Sequence, residues 1–372
     1  MDTNQIYALV NAVNQEAFGA EAIAINNTSG LISLGTTVLD SSENTEAFLN
    51  TLVQRIGRTI ISYRRYRSKF MDMVRDDFEW GAILQKIRVH MPAAEADESY
   101  DLVDGESVDH YKVARPEVDQ KFFVTRSPYQ FHVTIQKAHL REAFLSESAM
   151  GAFLGAVTGQ VRNAMDVTLE NLARIALANM SAFTYRTPRH IHLLTEYTEV
   201  GESVMTPVAA LRNAEFLAFA MRRINEILDA VQELGVNYND GSIETFTSPE
   251  MVRVKIISPF VRAAETVLQY RAFNEELVSV DSAYQKIAFW QAADSPMSIK
   301  ITNSNMSSPD GVTLNNLIAV IHDRDALGVY REEEEVATTP INAAGLYYNT
   351  YYHAKQLWFN DLSENFVIFT LD

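Results

Sequence analysis

The stretch that decides the fold class is Gly345-Leu-Tyr-Tyr-Asn-Thr-Tyr-Tyr-His353, which runs on to Phe366-Val-Ile-Phe369. Tyrosine, phenylalanine, valine and isoleucine dominate it, and these residue types suit a pleated, half-buried surface. The stretch therefore predicts that the chain closes with β-strands. It contains no nucleophile, acid–base pair or metal-ligand set, so the closing strands indicate a structural part rather than a catalytic one.

The composition indicates a folded chain of several domains. With 372 residues, a prior of roughly 150 residues per domain suggests two or three domains. Hydrophobic residues at 47% and aromatic residues at 10% can fill sizeable cores. The absence of cysteine excludes disulfides, thiolate metal sites and cysteine nucleophiles. No apolar run approaches the roughly 18 residues of a membrane span, and we expect no signal peptide and no membrane partner.

The charge balance narrows the classes of partner. Asp and Glu number 48 against 31 Lys and Arg, which gives a net charge of −17. Such a chain repels nucleic acid over most of its surface, which argues against a sequence-reading DNA-binding protein. A container remains compatible with this charge, because a wall that repels DNA leaves packed DNA mobile.

Helical periodicity is clearest over residues 131–180. Within that region, apolar residues at three- and four-residue spacing predict one long helix over Ser148–Asn179. A second long helix is predicted over 208–235, with Gly235 as its C-cap. Helices and strands are mixed without a regular β-α-β alternation, which favours an α+β fold over a doubly wound sheet.

Shorter elements are predicted on either side of these helices. An N-terminal helix follows from the spacing of Ile6, Leu9, Val10 and Val13, and a further helix is expected over Glu46–Ile56. The segments between them, Asn26–Gly30 and Asp40–Asn44, are rich in turn-forming residues. Alternation predicts strands at His190–Tyr197 and Val252–Ile257.

An acidic excursion interrupts residues 58–130. Strand-like pieces at Gln85–His90 and Phe122–Thr125 flank the stretch Glu95–Asp109, which has little to bury. A long loop of this kind inside a compact domain is predicted to be exposed and to have a functional reason. Its acidic residues include Glu95, Asp97, Glu98, Asp101 and Asp104.

A dense basic cluster, Tyr63–Lys69, precedes this excursion and contains Arg64, Arg65 and Arg67. Basic residues interleaved with tyrosines can grip a nucleic-acid backbone. The alternative is that the cluster pairs with acidic segments such as Glu95–Asp109, within one subunit or between subunits. We favour this structural interpretation.

Sequence motifs for catalysis, nucleotide binding or metal binding are weak or missing. His190-x-His192 lacks a matching ligand set at a metal-site spacing. The best hard-cation candidate is His322-Asp323-x-Asp325 with Glu332–Glu335, yet four consecutive glutamates are typical of a solvated face. There is no phosphate-binding loop, dinucleotide fingerprint or nucleophile elbow. We therefore predict no catalytic residue, no cofactor and no metal.

Several segments, in order along the chain, resemble the major capsid proteins of the phi 29-like group of small podoviruses. Those proteins have the tailed-phage capsid fold of the Hong Kong 97 type. The matching segments are Tyr7–Ala12, Leu52-Val53-x-Arg55-Ile56-Gly57, Thr134-Ile135-Gln136 with Leu140, Ala143 and Phe144, Asp323-Arg324-Asp325 with Val329 and Tyr330, and Gly345–His353.

The resemblance implies an architecture for the whole chain. It places an N-terminal arm, an extended E-loop lying over a neighbouring subunit, a P-domain with a long spine helix, and an A-domain. The implied ranges are 1–57 for the arm and helix, 58–130 for the E-loop region, 131–200 for the P-domain with the spine helix, 201–340 for the A-domain with part of the P-domain, and 341–372 for the C-terminal P-domain strands.

The implied function is assembly, not catalysis. Many copies would form pentamers and hexamers of an icosahedral shell around a double-stranded DNA phage genome, in the host cytoplasm, with a scaffolding protein and a portal protein as partners. Arg64, Arg65 and Arg67 would pair with carboxylates of a neighbouring subunit, so these arginines and the five acidic residues named above are the predicted interface. Two alternatives stay open: an encapsulin-like compartment that encloses a cargo enzyme, and a soluble enzyme with an unrecognised site.

Overall fold

A computed structural model describes most of the chain. The described residues are 3–19, 24–56, 68–76, 83–95, 97, 100, 103–105, 107, 111, 113–201, 203–271, 284–301 and 311–372. The chain divides into two compact units, each assembled from three separate segments. Unit 1 comprises Met1–Gly81, Arg126–Ala173 and Val329–Leu357, and unit 2 comprises Ala82–Thr125, Arg174–Gly328 and Trp358–Asp372.

Unit 1 begins with three helices: α1 (Thr3–Phe18), α2 (Thr28–Asp40) and α3 (Ser42–Ile56). The predicted N-terminal helix is confirmed, and its apolar face is buried in a cluster with α2 and α3. One carboxylate ties these helices to the next part of the unit, because Glu147 accepts hydrogen bonds from the hydroxyls of Tyr7 and Thr28.

The two segments rich in turn-forming residues contain the residues that cap the starts of α2 and α3. Asn27 caps α2 by accepting a hydrogen bond from the backbone N–H of Gly30, at 2.8 Å. Ser41 likewise accepts from Asn44 at 3.0 Å, and it is the single residue between α2 and α3. Asn and Ser favour turns and N-caps for the same reason: their side chains hydrogen-bond nearby backbone N–H groups.

The long helix is confirmed and is longer than predicted. After a short helix α4 (Lys137–Ala143), helix α5 runs over Glu147–Thr184, which is 38 residues. At about 1.5 Å per residue, that is roughly 57 Å. Unit 1 contains its first part, and Leu154 and Leu169 there are buried.

Residues 131–136 are strand and not helix, which corrects the helical prediction for that part of 131–180. Strand β4 (Arg126–Gln136) pairs antiparallel with β12 (Tyr347–Asn360), from Tyr347 opposite Gln136 to Leu357 opposite Arg126. This long register of backbone hydrogen bonds outweighs the local helical pattern. The complete sheet has the order β1-β11-β12-β4, where β1 is Val74–Arg75 and β11 is Leu327–Thr338.

Unit 2 is organised around a five-stranded sheet of order β5-β13-β10-β6-β7. Its central strand β10 (Leu317–Asp323) pairs antiparallel with β13 (Phe366–Thr370) and with β6 (Val252–Ile257). The remaining strands, β5 (His190–His192) and β7 (Tyr284–Ile287), pair in parallel at the two edges. The closing strand predicted at Phe366–Phe369 and the strand predicted at Val252–Ile257 are both confirmed.

Two predicted elements of unit 2 are wrong in extent. The strand expected over His190–Tyr197 stops at His192, and α6 (Leu193–Glu199) follows because Leu193, Leu194 and Tyr197 fall on one buried helical face. The helix expected over 208–235 is divided into α7 (Pro207–Ala210) and α8 (Ala214–Ala230). Asn213 caps the start of α8. The helix ends at Ala230, so Gly235 is not its C-cap.

The other elements of unit 2 are one helix and two hairpins. Helix α9 (Ser258–Arg271) follows β6 directly. The hairpins pair β2 (Leu84–Val89) with β3 (Val118–Phe123), and β8 (Ile299–Ile301) with β9 (Val312–Leu314). Helices and sheets are thus mixed, which confirms the α+β fold class. Among the helices described, none is both long enough and apolar enough to cross a bilayer.

Candidate assembly interface

The β2–β3 hairpin carries its side chains in an unusual arrangement. The register runs from Leu84 opposite Phe123 to Val89 opposite Val118. Side chains alternate between the two faces of a strand, so residues 85, 87, 89, 118, 120 and 122 share one face. Burial alternates strictly along both strands, and this set is the exposed one.

The exposed face, which we call the outward face, is largely apolar. Ile87 is 55% exposed, Val89 57%, Val118 47% and Phe122 57%. The two remaining positions of this face are Gln85 and Gln120. Exposed apolar residues are ordinary when scattered, but a contiguous group of large ones marks an interaction site. The outward face is therefore a candidate interface.

The opposite, inward face carries the charges: Lys86, Arg88, Asp119 and Lys121 all lie there and are only partly exposed. Lys86 and Lys121 lie directly opposite each other across the two strands. Like charges in that position are destabilising unless an anion lies between them. The hairpin thus has an inverted pattern, with cations turned inward and apolar side chains turned to solvent.

The anion is a buried carboxylate in the turn between β12 and β13. Asp361 accepts hydrogen bonds from Lys86 at 2.6 Å and from Lys121 at 3.2 Å, one on each carboxylate oxygen. Glu364, in the same turn, pairs with both Lys86 and Arg88. The side chains of Asp361 and Glu364 are 0% and 6% exposed.

Charge and hydrogen bonding keep Asp361 ionised despite its burial. Burial by itself would raise its pKa, but the charge and hydrogen bond of Lys86, with two hydrogen bonds from Ser363, lower the pKa of Asp361 to about 2. By contrast, burial raises the pKa of the neighbouring Asp323 carboxyl group. The cations of the hairpin therefore lie against a carboxylate that is negatively charged at neutral pH.

The predicted interface residues are only partly within the described residues. Glu95, Asp97 and Asp104 lie between β2 and β3 and are exposed, which agrees with the predicted excursion. The other five, Arg64, Arg65, Arg67, Glu98 and Asp101, lie outside the described residues. Their role in an interface stays a prediction.

Sequence reasoning did not identify the inward charges or their carboxylate partners. A signal was present, since Lys86 and Arg88 alternate with Ile87 and Val89 as in a half-buried strand. The alternation cannot say which face is covered, because the partners Asp361 and Glu364 lie some 275 residues further along the chain.

The histidine and acidic metal candidates are engaged by protein partners. His190 and His192 do meet a third potential ligand, Asp372, with ligand atoms within 4.8 Å of one another. However, His190 hydrogen-bonds the Tyr185 carbonyl at 2.9 Å through Nδ1 and Thr370 at 2.8 Å through Nε2. Both ring nitrogens are thus occupied, as in a structural histidine.

The second candidate, with Asp323 and the glutamate run, also has structural partners. Asp323 accepts the backbone N–H of Asp325 at 2.7 Å. Glu332 is buried in β11 and pairs with Arg126 at 2.8 Å, so this glutamate does not belong to a solvated face as the sequence suggested.

Comparison with solved structures establishes the fold. The chain resembles the capsid structure of Staphylococcus phage Andhra with a TM-score of 0.54 and 11% identity, over 84% of this chain and 87% of that one. The capsid structure of the cyanophage P-SCSP1u gives 0.51 and 13%, over 84% and 90%. The fold is therefore that of tailed-phage capsid proteins of the Hong Kong 97 type.

Sequence comparison then establishes the family: residues 10–370 match the model of the Phi29-like phage major capsid proteins, and the chain belongs to that family. It is 21% identical over 361 residues to the major capsid protein of Bacillus phage B103, covering 96% of this chain and 71% of that protein. It is 28% identical over 115 residues to the major capsid protein of Streptococcus phage Cp-1, covering 31% and 30%. The predicted family and fold are confirmed, and neither the compartment nor the enzyme is favoured.

Proposed function

We propose that this major capsid protein joins its neighbours in the shell through the outward face of the β2–β3 hairpin. The observation that carries the proposal is the exposure of Ile87, Val89 and Phe122 on one face of a two-stranded ribbon. In a shell of many copies, the partner of such a surface is another copy. Contacts of this heterologous kind close into rings, which are the pentamers and hexamers of an icosahedral shell.

The size of the outward face suits reversible assembly. Burying one large apolar side chain contributes about 1.5–3 kcal/mol. Association costs an estimated 4–15 kcal/mol in lost translational and rotational freedom. The four side chains are only about half exposed in the subunit, so burying the rest contributes about 3–6 kcal/mol in total, which offsets only part of that cost for one contact. Subunits that meet wrongly can separate, and the closed shell is stabilised because each copy makes several contacts.

We further propose that the exposed acidic excursion adds charge complementarity to this contact. Arg64, Arg65 and Arg67 precede β2 in sequence, and we assign them as partners for Glu95, Asp97, Glu98, Asp101 and Asp104 of a neighbouring copy. What supports this is the exposure of Glu95, Asp97 and Asp104 and the basic run in the sequence. Such pairs set orientation and partner choice more than affinity.

The remaining parts of the proposal concern the particle. The shell encloses a double-stranded DNA phage genome, assembles in the host cytoplasm with a scaffolding and a portal protein, and performs no catalysis. The net charge of −17 supports a wall that does not hold the packed DNA. We retain the division into arm (1–57), E-loop region (58–130), spine-helix segment (131–200), A-domain segment (201–340) and closing strands (341–372) as a proposed assignment.

The apolar contact is tested by making the outward face polar. The Ile87→Ser/Phe122→Ser variant should yield folded subunits that do not assemble, because the apolar area removed from water at the contact is lost. Sedimentation velocity and electron microscopy measure assembly, and circular dichroism measures folding. The matched control is Gln85→Ser/Gln120→Ser, which changes two polar residues of the same face. Shells of normal yield from the first variant would rule out the proposed contact.

The charged contact has its own test. Arg65→Glu/Arg67→Glu should lower the yield of shells while leaving the subunit folded, because each new carboxylate would face the neighbour's acids. Asp97→Lys/Asp104→Lys in the same chain should restore part of the yield. Normal assembly of the arginine variant would show that the proposed charged pairing is wrong. It would leave the proposal of an apolar contact unchanged.

The enclosed genome is tested on particles from the native source. Electron microscopy of the fast-sedimenting fraction after nuclease treatment, with an assay for protected DNA, should show closed shells that contain DNA. Shells that hold protein and no DNA would instead indicate a cargo compartment.

A further inference from the structure

The inward face of the hairpin holds an ionic contact that the apolar interface does not require. We propose that Lys86, Arg88 and Lys121 form a latch with Asp361 and Glu364, which docks the hairpin on its own subunit in one orientation. The proposal concerns a single chain, so it goes beyond the proposed shell contact and does not depend on it.

The cations of the hairpin are arranged so that they need an anion between them. Lys86 and Lys121 oppose each other across the ribbon, an arrangement that repels in an isolated hairpin. Asp361 lies between them and uses a separate oxygen for each, at 2.6 Å and 3.2 Å. Two cations on different strands therefore share one anion, which holds both strands of the ribbon at the same point of the body.

The turn that contains Asp361 orients the carboxylate toward the cations. The Asp361 oxygen nearer to Lys121 also accepts the backbone N–H of Ser363 at 3.1 Å and its hydroxyl at 2.7 Å. The backbone N–H of Asp361 donates to the Ala326 carbonyl at 2.7 Å, which ties this turn to the turn between β10 and β11. The Asp361 carboxylate is thus oriented by its own turn, so docking the hairpin does not require it to reorganise.

Arg88 adds direction to the docking. Besides Glu364, its guanidinium donates to the Ser363 carbonyl at 3.2 Å and to the Thr245 hydroxyl at 3.4 Å. A planar guanidinium with several fixed acceptors tolerates little rotation. Arg88 therefore defines the angle of the ribbon, whereas the lysines supply charge at more adjustable positions.

Without the cations, docking the hairpin would be unfavourable in free energy. The docked hairpin leaves the Asp361 and Glu364 side chains 0% and 6% exposed. Removing the cations leaves the buried carboxylates charged and unpaired, which is strongly unfavourable. The docked state is then no longer lower in free energy than the undocked state, and the hairpin undocks. A lone two-stranded hairpin is marginally stable in water, so we expect it to fray once undocked.

The test is hydrogen–deuterium exchange of the unassembled full-length subunit, followed by mass spectrometry. In Lys86→Gln/Arg88→Gln, peptides covering 84–89 and 118–123 should exchange at least tenfold faster, whereas a peptide covering 317–323 should not change. The matched control is Arg222→Gln, which breaks an exposed pair with Glu226 in the same unit and should leave the hairpin rate unchanged. An unchanged hairpin rate in the double variant would overturn the latch.

A general loss of stability is separated by a milder pair of variants. If the 317–323 peptide also speeds up, Arg88→Lys and Arg88→Gln are compared. The latch expects Arg88→Lys to keep most of the hairpin protection, because a cation still faces Glu364, and it expects Arg88→Gln, which removes that cation, to lose protection. Equal loss in both variants would reject the latch. The outcome is independent of whether the Ile87→Ser/Phe122→Ser subunits assemble.

Discussion

The β2–β3 hairpin and strand β10 belong to the same unit, yet they use apolar side chains in opposite ways. All seven residues of β10, which pairs with β13 and β6, are buried, including Ile318, Val320 and Ile321. In the hairpin, Ile87, Val89 and Phe122 point to solvent and the charged residues point inward. Residue type alone does not distinguish the two regions. The difference is that β10 finds its apolar partners within the chain, whereas the apolar side chains on the outward face of the hairpin are exposed.

The comparison also separates stability from orientation. Apolar burial in β10 contributes directly to the free energy of folding. The ion pairs under the hairpin contribute less net stability, because desolvating the carboxylates offsets much of the attraction. Under the proposed latch, the main effect of the pairs is to define the position of the ribbon. Substitutions in the two regions should therefore differ both in size and in the property that changes.

The largest effect is expected in the central strand. Ile321→Ala should lower the free energy of unfolding by about 2–5 kcal/mol, because it leaves a cavity in a fully buried position. Urea unfolding followed by circular dichroism measures this change. A loss below about 1 kcal/mol would mean that β10 is not packed as tightly as its burial indicates.

An intermediate effect is expected from the pH dependence of the latch. The pKa of Asp361 falls from 3.8 to about 2 on folding, so its contribution is fully present above about pH 5 and is lost as the pH falls through 2. A shift of this size corresponds to about 2 kcal/mol, of which roughly half disappears by pH 3. Wild type and Asp361→Asn should thus differ less in unfolding free energy at pH 3 than at pH 5. The same difference at both pH values would show that the pairing of Asp361 does not stabilise the folded subunit.

The smallest effect on stability is expected on the outward face. Ile87→Ala should change the free energy of unfolding by no more than about 0.5 kcal/mol, because the side chain is more than half exposed in the subunit. The same urea experiment measures it alongside Ile321→Ala, so that one residue type is compared in two surroundings. If the two variants lose similar stability, the outward face is packed against this chain and the contrast between the regions disappears.

Sequence reasoning was most successful where the structure is decided by neighbours along the chain. The long helix was found because its apolar residues recur every three or four positions, and α5 extends the prediction Ser148–Asn179 by one residue at its start and five at its end. It failed at residues 131–136, where six cross-strand pairs with β12 override the helical pattern. It also failed at His190–Tyr197, because only the first three residues find a partner in β13.

For the candidate interface, the sequence correctly indicated an exposed acidic excursion between two strands. It did not indicate which face of those strands is covered. Lys86 and Arg88 read equally well as a solvated face, and only the turn at Asp361–Glu364 turns them inward. The basic cluster with Arg64, Arg65 and Arg67 was the more visible signal, and its role stays a prediction.

By itself, the sequence determined the fold class, the family, the long helix and the β-rich close of the chain. These follow from local periodicity, composition and ordered family motifs, all of which can be read along one dimension. The tertiary structure decided the pairing of β4 with β12, and it decided which face of the hairpin is covered and which is exposed. Both depend on contacts between residues more than 200 positions apart, and the free energy of such contacts arises only when the chain has folded and excluded water between them.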